Sequence, residues 1–104
     1  MEISKNLILT CIKENLQNLK LSNKIYERCK KTLDNITDED KIEVPFNVIT
    51  VSAGLIFVTA ILEGEKRTQR EIGYCMNITE ASIRKFAKHL EGIENHKKKV
   101  WRYG

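Results

Sequence analysis

The sequence has few of the residues from which small proteins build cross-links or metal sites. Its three cysteines, Cys11, Cys29 and Cys75, are odd in number and widely spaced, and none stands in a C-x-x-C pair. Neither a zinc site nor a dithiol redox motif is therefore indicated. His89 and His96 have no second ligand at metal spacing. We expect no metal and no other cofactor, and free thiols in a reduced intracellular setting.

Linkers and internal repeats are also missing from the sequence. It has one proline and five glycines in 104 residues, with no Gly/Ser-rich stretch to separate domains. That length suits one domain with one hydrophobic core. Lys5, Lys13 and Glu14 interrupt the apolar residues near the N-terminus, which argues against a signal peptide. A net charge of +4 is compatible with an anionic partner but does not identify one.

No combination of residues typical of a catalytic site is present. The sequence has no glycine-rich phosphate loop and no nucleophile, base and acid in a recognisable set. Glu63, Glu65 and Glu71 stand at predicted helix ends, where carboxylates act as caps and as charges that complement the helix dipole. We therefore expect no enzymatic activity and no small-molecule substrate.

Apolar residues that recur at helical spacing predict two amphipathic helices at the start of the chain. The first is predicted from about residue 3 to residue 20. The second follows Ser22, a favourable N-cap, with Leu21 and Tyr26 placed to pack across the cap as a hydrophobic staple. The inward-facing positions of the two helices are Ile3, Leu7, Ile8, Cys11, Ile12, Leu16, Leu19, Ile25, Cys29, Thr32, Leu33 and Ile36.

After a charged connection, residues 44–62 form a run without any charged side chain. Three interpretations of this run are open: a central helix that is apolar on all sides, two buried strands, or a membrane span. Asn47 and Ser52 dilute its apolar character, and only Gly54 could mark a turn between strands. We favour the central helix, with Pro45 in its first turn, because the amphipathic helices on both sides need an apolar surface to cover.

The segment RTQREIGYCMNITEASIRKFAKHL, residues 67–90, predicts two helices joined by a very short turn. The T-x-x-E capping box at Thr68 begins the first helix at Gln69. Asn77 suits the left-handed conformation of a tight turn, and Thr79 caps the second helix. The anchors of the shared core are Ile72, Met76, Ile78, Ile83 and Phe86, with Gly73 where the second helix could cross closely. This spacing favours a helix-turn-helix over a purely structural helical hairpin.

The second of these helices has one apolar and one cationic face. Ile83, Phe86, Ala87 and Leu90 are assigned to the core, whereas Ala81, Arg84, Lys85 and Lys88 share the opposite side. A helix that enters the major groove of DNA needs such a side, because small residues allow close approach, arginine reaches guanine and lysine pairs with phosphate. The alternative is an ordinary solvated face. The turn pattern beside it favours nucleic-acid binding.

The same segments carry a resemblance to a known family. The block LEGEKRTQREI, followed by NITEASIRKFAKHL, resembles the second cyclin-like repeat of archaeal transcription factor B, a relative of the eukaryotic general factor IIB. LKLSNKIYERCKKTLDNI is similar to the second helix of that repeat, and GLIFVTAILEGEKRTQRE to its apolar third helix. The resemblance covers roughly residues 3–93. It implies an all-α, five-helix cyclin-like fold with the third helix at the centre.

The resemblance also implies partners and contact residues. In that family the helix-turn-helix reads the B-recognition element of double-stranded promoter DNA, in the major groove and beside the TATA-binding protein; RNA polymerase is a further implied partner. Ala81 and Arg84 would face the bases, although the family usually has valine at the position of Ala81, which implies a weaker contact with a thymine methyl. The predicted DNA-binding residues are Lys66, Arg67, Thr79, Ala81, Ser82, Arg84, Lys85 and Lys88.

The predicted organisation is one cyclin-like domain at residues 1–94, containing the helix-turn-helix at 68–91, and a basic-aromatic tail at 95–104. Complete members of the family also have an N-terminal zinc ribbon, a reader segment and a first cyclin repeat, which are absent from this sequence. We expect either an excised C-terminal domain or, favoured by Met1 at a domain start, a stand-alone single-repeat relative. The expected location is the archaeal cytoplasm at the nucleoid, or the nucleus in a eukaryote.

A function of another class is a protein-interaction adaptor or regulator of the transcription machinery, without sequence-specific DNA binding. Cyclin folds often serve as docking modules, so this alternative follows from the same resemblance. The aromatic side chains Tyr26, Trp101 and Tyr103 would then matter more than Arg84. Neither function places the chain in a membrane.

Overall fold

Five helices make up most of the chain in the computed structural model, which describes the backbone of residues 2–96 and the side chains of residues 2–92. The elements in this range are β1 Glu2–Ser4, α1 Lys5–Leu16, α2 Asn23–Ile36, β2 Lys41–Glu43, α3 Val48–Leu62, α4 Gln69–Met76 and α5 Glu80–His96. The predicted all-α class is confirmed. Of the predicted tail, only the helical backbone of residues 95 and 96 is described; Trp101 and Tyr103 lie outside the described residues.

The central element is α3. Its residues from Thr50 to Ala60 are buried without interruption, and the other four helices all pack against it. The prediction of a central helix is confirmed, and the interpretation as two buried strands is wrong. None of the helices in the described part of the chain combines the length and the apolar character of a membrane span.

Two of the buried hydroxyl side chains of α3 donate to backbone carbonyls. Ser52 Oγ donates to the carbonyl oxygen of Ile8 in α1 at 3.3 Å, and Thr59 Oγ1 donates to that of Leu55 at 2.6 Å. These bonds remove the cost of burying a hydroxyl without a partner. The Cys29 thiol of α2 lies 3.3 Å from Thr59 Oγ1, and burial raises the pKa of this thiol to about 12, so it stays neutral.

The start of the chain differs from the prediction of a helix over residues 3–20. β1 and β2 pair in antiparallel register with Ile3 opposite Ile42, and both side chains are buried. Helix α1 begins only at Lys5, with the Ser4 hydroxyl as its cap. Strands of three residues are too short to show an alternating pattern, which explains why the sequence did not predict them. Leu7 is 59% exposed and does not belong to the core.

Helix α1 also ends earlier than predicted, at Leu16, and the turn that follows it closes at a non-glycine residue in the left-handed conformation. Lys20 has a φ of +57°. The N–H of Leu21 donates to the carbonyl of Leu16 at 2.9 Å, and that of Lys20 to the carbonyl of Gln17 at 3.1 Å. These two bonds form a Schellman motif. The usual glycine signal is missing, so the sequence pattern did not predict this end.

Helix α3 begins three residues later than Pro45, which therefore lies outside the helix and not in its first turn. Asn47 caps the helix by accepting from the N–H of Thr50 at 2.8 Å. The intervening residue, Phe46, packs edge-on against Phe86 of α5, with ring centroids 5.4 Å apart. The chain between β2 and α3 thus contributes to the core.

Helices α3 and α5 approach closely at Gly54. A Cβ atom built on Gly54 would lie 2.4 Å from Cδ2 of Phe86, a distance that real Cβ contacts do not show. The fully buried Phe86 ring therefore lies directly on the backbone of α3. The absence of a side chain at position 54 sets the position of α5 on the core.

We expect Gly54→Ala to lower the free energy of unfolding by about 1–3 kcal/mol, because the Phe86 ring must move in a filled core. The matched control is Gly92→Ala on α5, where an added Cβ has no neighbour within 4 Å. That change should raise stability by about 0.5–1 kcal/mol through helix propensity alone. Urea denaturation measures both effects, and equal midpoints for the two variants would contradict the packing argument.

Candidate nucleic-acid interface

The first helix of the candidate interface, α4, begins where the sequence predicts. The Thr68 hydroxyl accepts from the N–H of Glu71 at 3.0 Å, and the Glu71 carboxylate accepts from the N–H of Thr68 at 2.8 Å. This is the predicted capping box, with Gln69 as the first helical residue. The bonds from the Thr68 N–H and then its hydroxyl lower the pKa of the Glu71 carboxyl.

The turn between α4 and α5 depends on two small or flexible residues. Asn77 has a φ of +57°, as predicted, and the N–H of Ile78 donates to the carbonyl of Gly73 at 3.0 Å. A Cβ on Gly73 would lie 2.7 Å from the carbonyl oxygen of Ile78 and 3.8 Å from Cδ1 of Ile83. Glycine is thus required by the turn itself and not, as expected from the sequence, by a close crossing of the helix that follows, because 3.8 Å is an ordinary contact distance.

Two hydroxyl side chains, those of Thr79 and Ser82, lie at the start of helix α5. Thr79 Oγ1 accepts from the N–H of Ser82 at 3.1 Å, which confirms the predicted cap. The two side-chain oxygens lie 2.9 Å apart and share a hydrogen bond. Of the predicted contact residues, Thr79 and Ser82 therefore build and stabilise the start of the helix.

The two faces of α5 are divided as the sequence predicts. Ile83, Phe86, Ala87 and Leu90 are buried, whereas Ala81, Arg84, Lys85 and Lys88 are exposed. The structure thus gathers a small residue and three cations on one outward side of the helix. That these residues bind DNA stays a prediction.

The Arg84 side chain is held by a residue that the sequence did not single out. Its Nη1 atom donates to Oε1 of Gln69, the first residue of α4, at 2.8 Å. The two residues are 15 positions apart, so no local pattern reports the contact. The only available signal was the helix-turn-helix itself, which brings the start of α4 near the first turns of α5.

The two predicted DNA-binding residues before α4, Lys66 and Arg67, have different surroundings. Lys66 is exposed. The Arg67 guanidinium, in contrast, donates from Nε to the carbonyl of Leu19 and from Nη2 to that of Lys20, each at 2.9 Å. Arg67 thus closes the C-terminal end of α1, where a cation also complements the helix dipole. Of this pair, only Lys66 is placed as an exposed cation.

The residues just before Arg67 make further contacts with the α1–α2 corner. Glu65 accepts from the N–H of Ser22 at 2.9 Å and from its hydroxyl, and these bonds, the hydroxyl first, lower the pKa of the Glu65 carboxyl. Ser22 occupies the predicted N-cap position of α2 but makes no capping bond with its own side chain. Glu63 pairs with Arg28 of α2 at 2.7 Å. The α3–α4 loop is therefore fixed against α2 and the α1–α2 corner by side-chain contacts.

Among the described residues, no three side chains of His, Cys, Asp or Glu come together in a way that could hold a metal ion. Cys75 of α4 lies 3.8 Å from Oδ1 of Asn15, whose amide nitrogen also contacts Cys11. All three cysteines are free thiols.

Comparison with known proteins gives one partial similarity. No protein-family model matches the chain. Over 49 residues the chain is 43% identical to the transcription initiation factor IIB of the archaeon Methanopyrus kandleri. The match covers 44% of this chain and 16% of that factor. The similarity supports a relation to the factor IIB family over somewhat less than half of the chain.

The surroundings of Lys66 and Arg67 predict effects of different size on stability. Arg67→Lys should lower the free energy of unfolding by about 1–2 kcal/mol, because a lysine cannot donate to both carbonyls of the α1 end in the arginine geometry. The matched control, Lys66→Ala, removes a charge from an exposed position and should change stability by less than about 0.5 kcal/mol. Urea denaturation compares the two, and equal stability of both variants would contradict the assignment of Arg67.

The lowered pKa values of Glu65 and Glu71 predict a dependence of stability on pH. A carboxyl with a depressed folded-state pKa stabilises the fold above its unfolded value, about 4.3, and this contribution is lost as pH falls through the folded value. Glu65→Gln combined with Glu71→Gln should therefore flatten the fall in the urea midpoint below about pH 4.3. Ser22→Ala with Thr68→Ala, which removes the donating hydroxyls, should flatten it in the same direction. Profiles parallel to that of the unmodified chain would contradict the role of these bonds.

Proposed function

We propose that this chain is a transcription-initiation-factor-like domain that binds double-stranded promoter DNA in the major groove, with α5 as the recognition helix. The observation that supports this most is the outward side of α5, where exposed Ala81 and Arg84 precede exposed Lys85 and Lys88. The helix is fixed on the core through Phe86, so the outward side has one orientation. A rigid helix that presents a small residue and cations suits entry into a groove.

The roles within this surface follow from side-chain chemistry. Ala81 allows close approach to the base edges, and the Arg84 guanidinium matches the two acceptors of guanine, O6 and N7. Lys85 and Lys88 pair with phosphates and set the register of the helix on the duplex. Lys66, exposed in the loop before α4, adds a further phosphate contact. Thr79 and Ser82 act by fixing the start of the helix.

The finer features of the proposal rest on family relations. The sequence resembles the second cyclin-like repeat of transcription factor B, and nearly half of the chain is similar to an archaeal factor IIB. We therefore propose a site of the B-recognition-element type, the TATA-binding protein as a neighbour on the promoter, and RNA polymerase as a further partner. The role we propose is binding, without catalysis.

A salt-titrated mobility-shift assay with promoter DNA, with and without the TATA-binding protein, measures the proposed binding. The logarithm of the affinity should fall with that of salt at a slope of about −0.9 for each neutralised phosphate, and Lys85→Ala should make the slope shallower by about one. Arg84→Ala should cost about 1–3 kcal/mol on the preferred sequence and little on others. Lys30→Ala, which removes an exposed cation from α2, should leave the binding unchanged.

Two outcomes would contradict parts of this proposal. An equal loss on all sequences for Arg84→Ala would make this residue a phosphate contact. Absence of binding at low salt, with and without the TATA-binding protein, would rule out the DNA-binding function.

The second candidate is the protein-interaction adaptor, which one observation favours. Tyr74 on α4 is 91% exposed, and exposed tyrosines are frequent anchors of protein interfaces. Tyr26, in contrast, is half-buried and lies under the Lys13 ammonium, 5.3 Å from the ring centroid. If the DNA assay gives no binding, partners that stay bound after nuclease treatment and that Tyr74→Ala releases would establish the adaptor.

A further inference from the structure

The contact between Gln69 and Arg84 joins the two helices of the candidate interface at the end that carries Ala81. Gln69 is the first residue of α4, and Arg84 lies one turn into α5. The Nη1–Oε1 distance of 2.8 Å is a normal hydrogen bond. Arg84 is exposed and Gln69 is half-buried, so the bond lies at the surface where the helices meet.

Both residues that form this bond lie on parts of the backbone that are held in place. The capping box of Thr68 holds the start of α4, and the hydroxyl of Thr79 holds the start of α5. Ile83, next to Arg84 in the sequence, is fully buried in the core. The backbone positions from which the two side chains extend are therefore fixed by the helix starts and the core.

We propose that Gln69 is a positioning residue that holds the Arg84 guanidinium in the orientation in which it donates to guanine; this inference rests on the proposed function. A guanidinium has five N–H donors, and the bond to Gln69 uses one of them. The others remain for the O6 and N7 acceptors of guanine. Because the arginine is already held, less side-chain freedom is lost on binding, which raises affinity for the matching base.

The neutral amide of Gln69 suits this role better than a carboxylate would. A carboxylate at the same place would form an ion pair with Arg84 and neutralise it. It would also bring a negative charge towards the phosphates of the duplex. The amide orients the arginine and leaves its charge available for DNA.

The test uses the full chain and four variants of it. Gln69→Met keeps the length of the side chain and removes the acceptor. The other three are Gln69→Glu, Arg84→Ala and the double variant Gln69→Met/Arg84→Ala. The probe is a pool of short DNA duplexes with randomised central base pairs, offered with and without the TATA-binding protein. Sequencing of the bound fraction gives the relative affinity for each base at each position. Thermal unfolding checks that the variants stay folded.

We expect the unmodified chain to enrich guanine at one position. Gln69→Met should weaken that preference by about three- to tenfold, the range expected for releasing one long side chain, and leave the salt dependence unchanged. In the Arg84→Ala background the same change should have no effect. Gln69→Glu should weaken binding to all sequences, because it adds a negative charge, while the unfolding temperature stays close to that of the unmodified chain.

The inference is overturned if Gln69→Met leaves the guanine preference intact while Arg84→Ala removes it, since the arginine then needs no positioning. It is also overturned if Gln69→Met weakens binding equally with and without Arg84. In both cases the unmodified chain still binds DNA, so the proposed function stands. Absence of binding by the unmodified chain overturns the proposed function and this inference together.

Discussion

The rest of the structure depends on a helix with no polar side. From Thr50 to Ala60, every residue of α3 is withdrawn from water, so the helix has to be covered in all directions. The other four helices do this. Burial of apolar area supplies the main favourable term, and the buried hydroxyls of Ser52 and Thr59 donate to backbone carbonyls of α1 and α3. A cationic outer surface on α5 is possible because its inner side is committed to α3.

Residues of the loop after α3 resemble transcription factor B, but their side chains make contacts within the fold. Glu63, Glu65 and Arg67 each reach across to the region of α1 and α2, through contacts that no local pattern describes. This loop lies within the block that gives the chain its most specific resemblance to transcription factor B. In this chain the acidic residues and the arginine of that block close the fold. The resemblance of this block to transcription factor B is therefore evidence for a shared architecture more than for DNA contact.

Sequence patterns predicted the features with short-range causes. The capping box at Thr68, the cap at Thr79, the left-handed Asn77 and the two faces of α5 all follow from residues within one or two turns. The features that were missed have long-range causes. The β1–β2 pair joins residues about 40 positions apart, and the turn after α1, which closes at Lys20, is completed by the distant Arg67. The bond from Gln69 to Arg84 likewise needs the turn to be folded first.

The contacts of Arg67 restrict the movement of the neighbouring helix α4. Arg67 directly precedes the cap of α4, and its guanidinium is anchored on the far corner between α1 and α2. The other end of α4 is fixed by the Gly73–Ile78 contact. Held at both ends, α4 has little freedom to tilt when a partner presses against the interface. Under the proposed function, accommodation would then fall to long surface side chains and to the DNA, so that an easily bent sequence would fit this domain better than a stiff one.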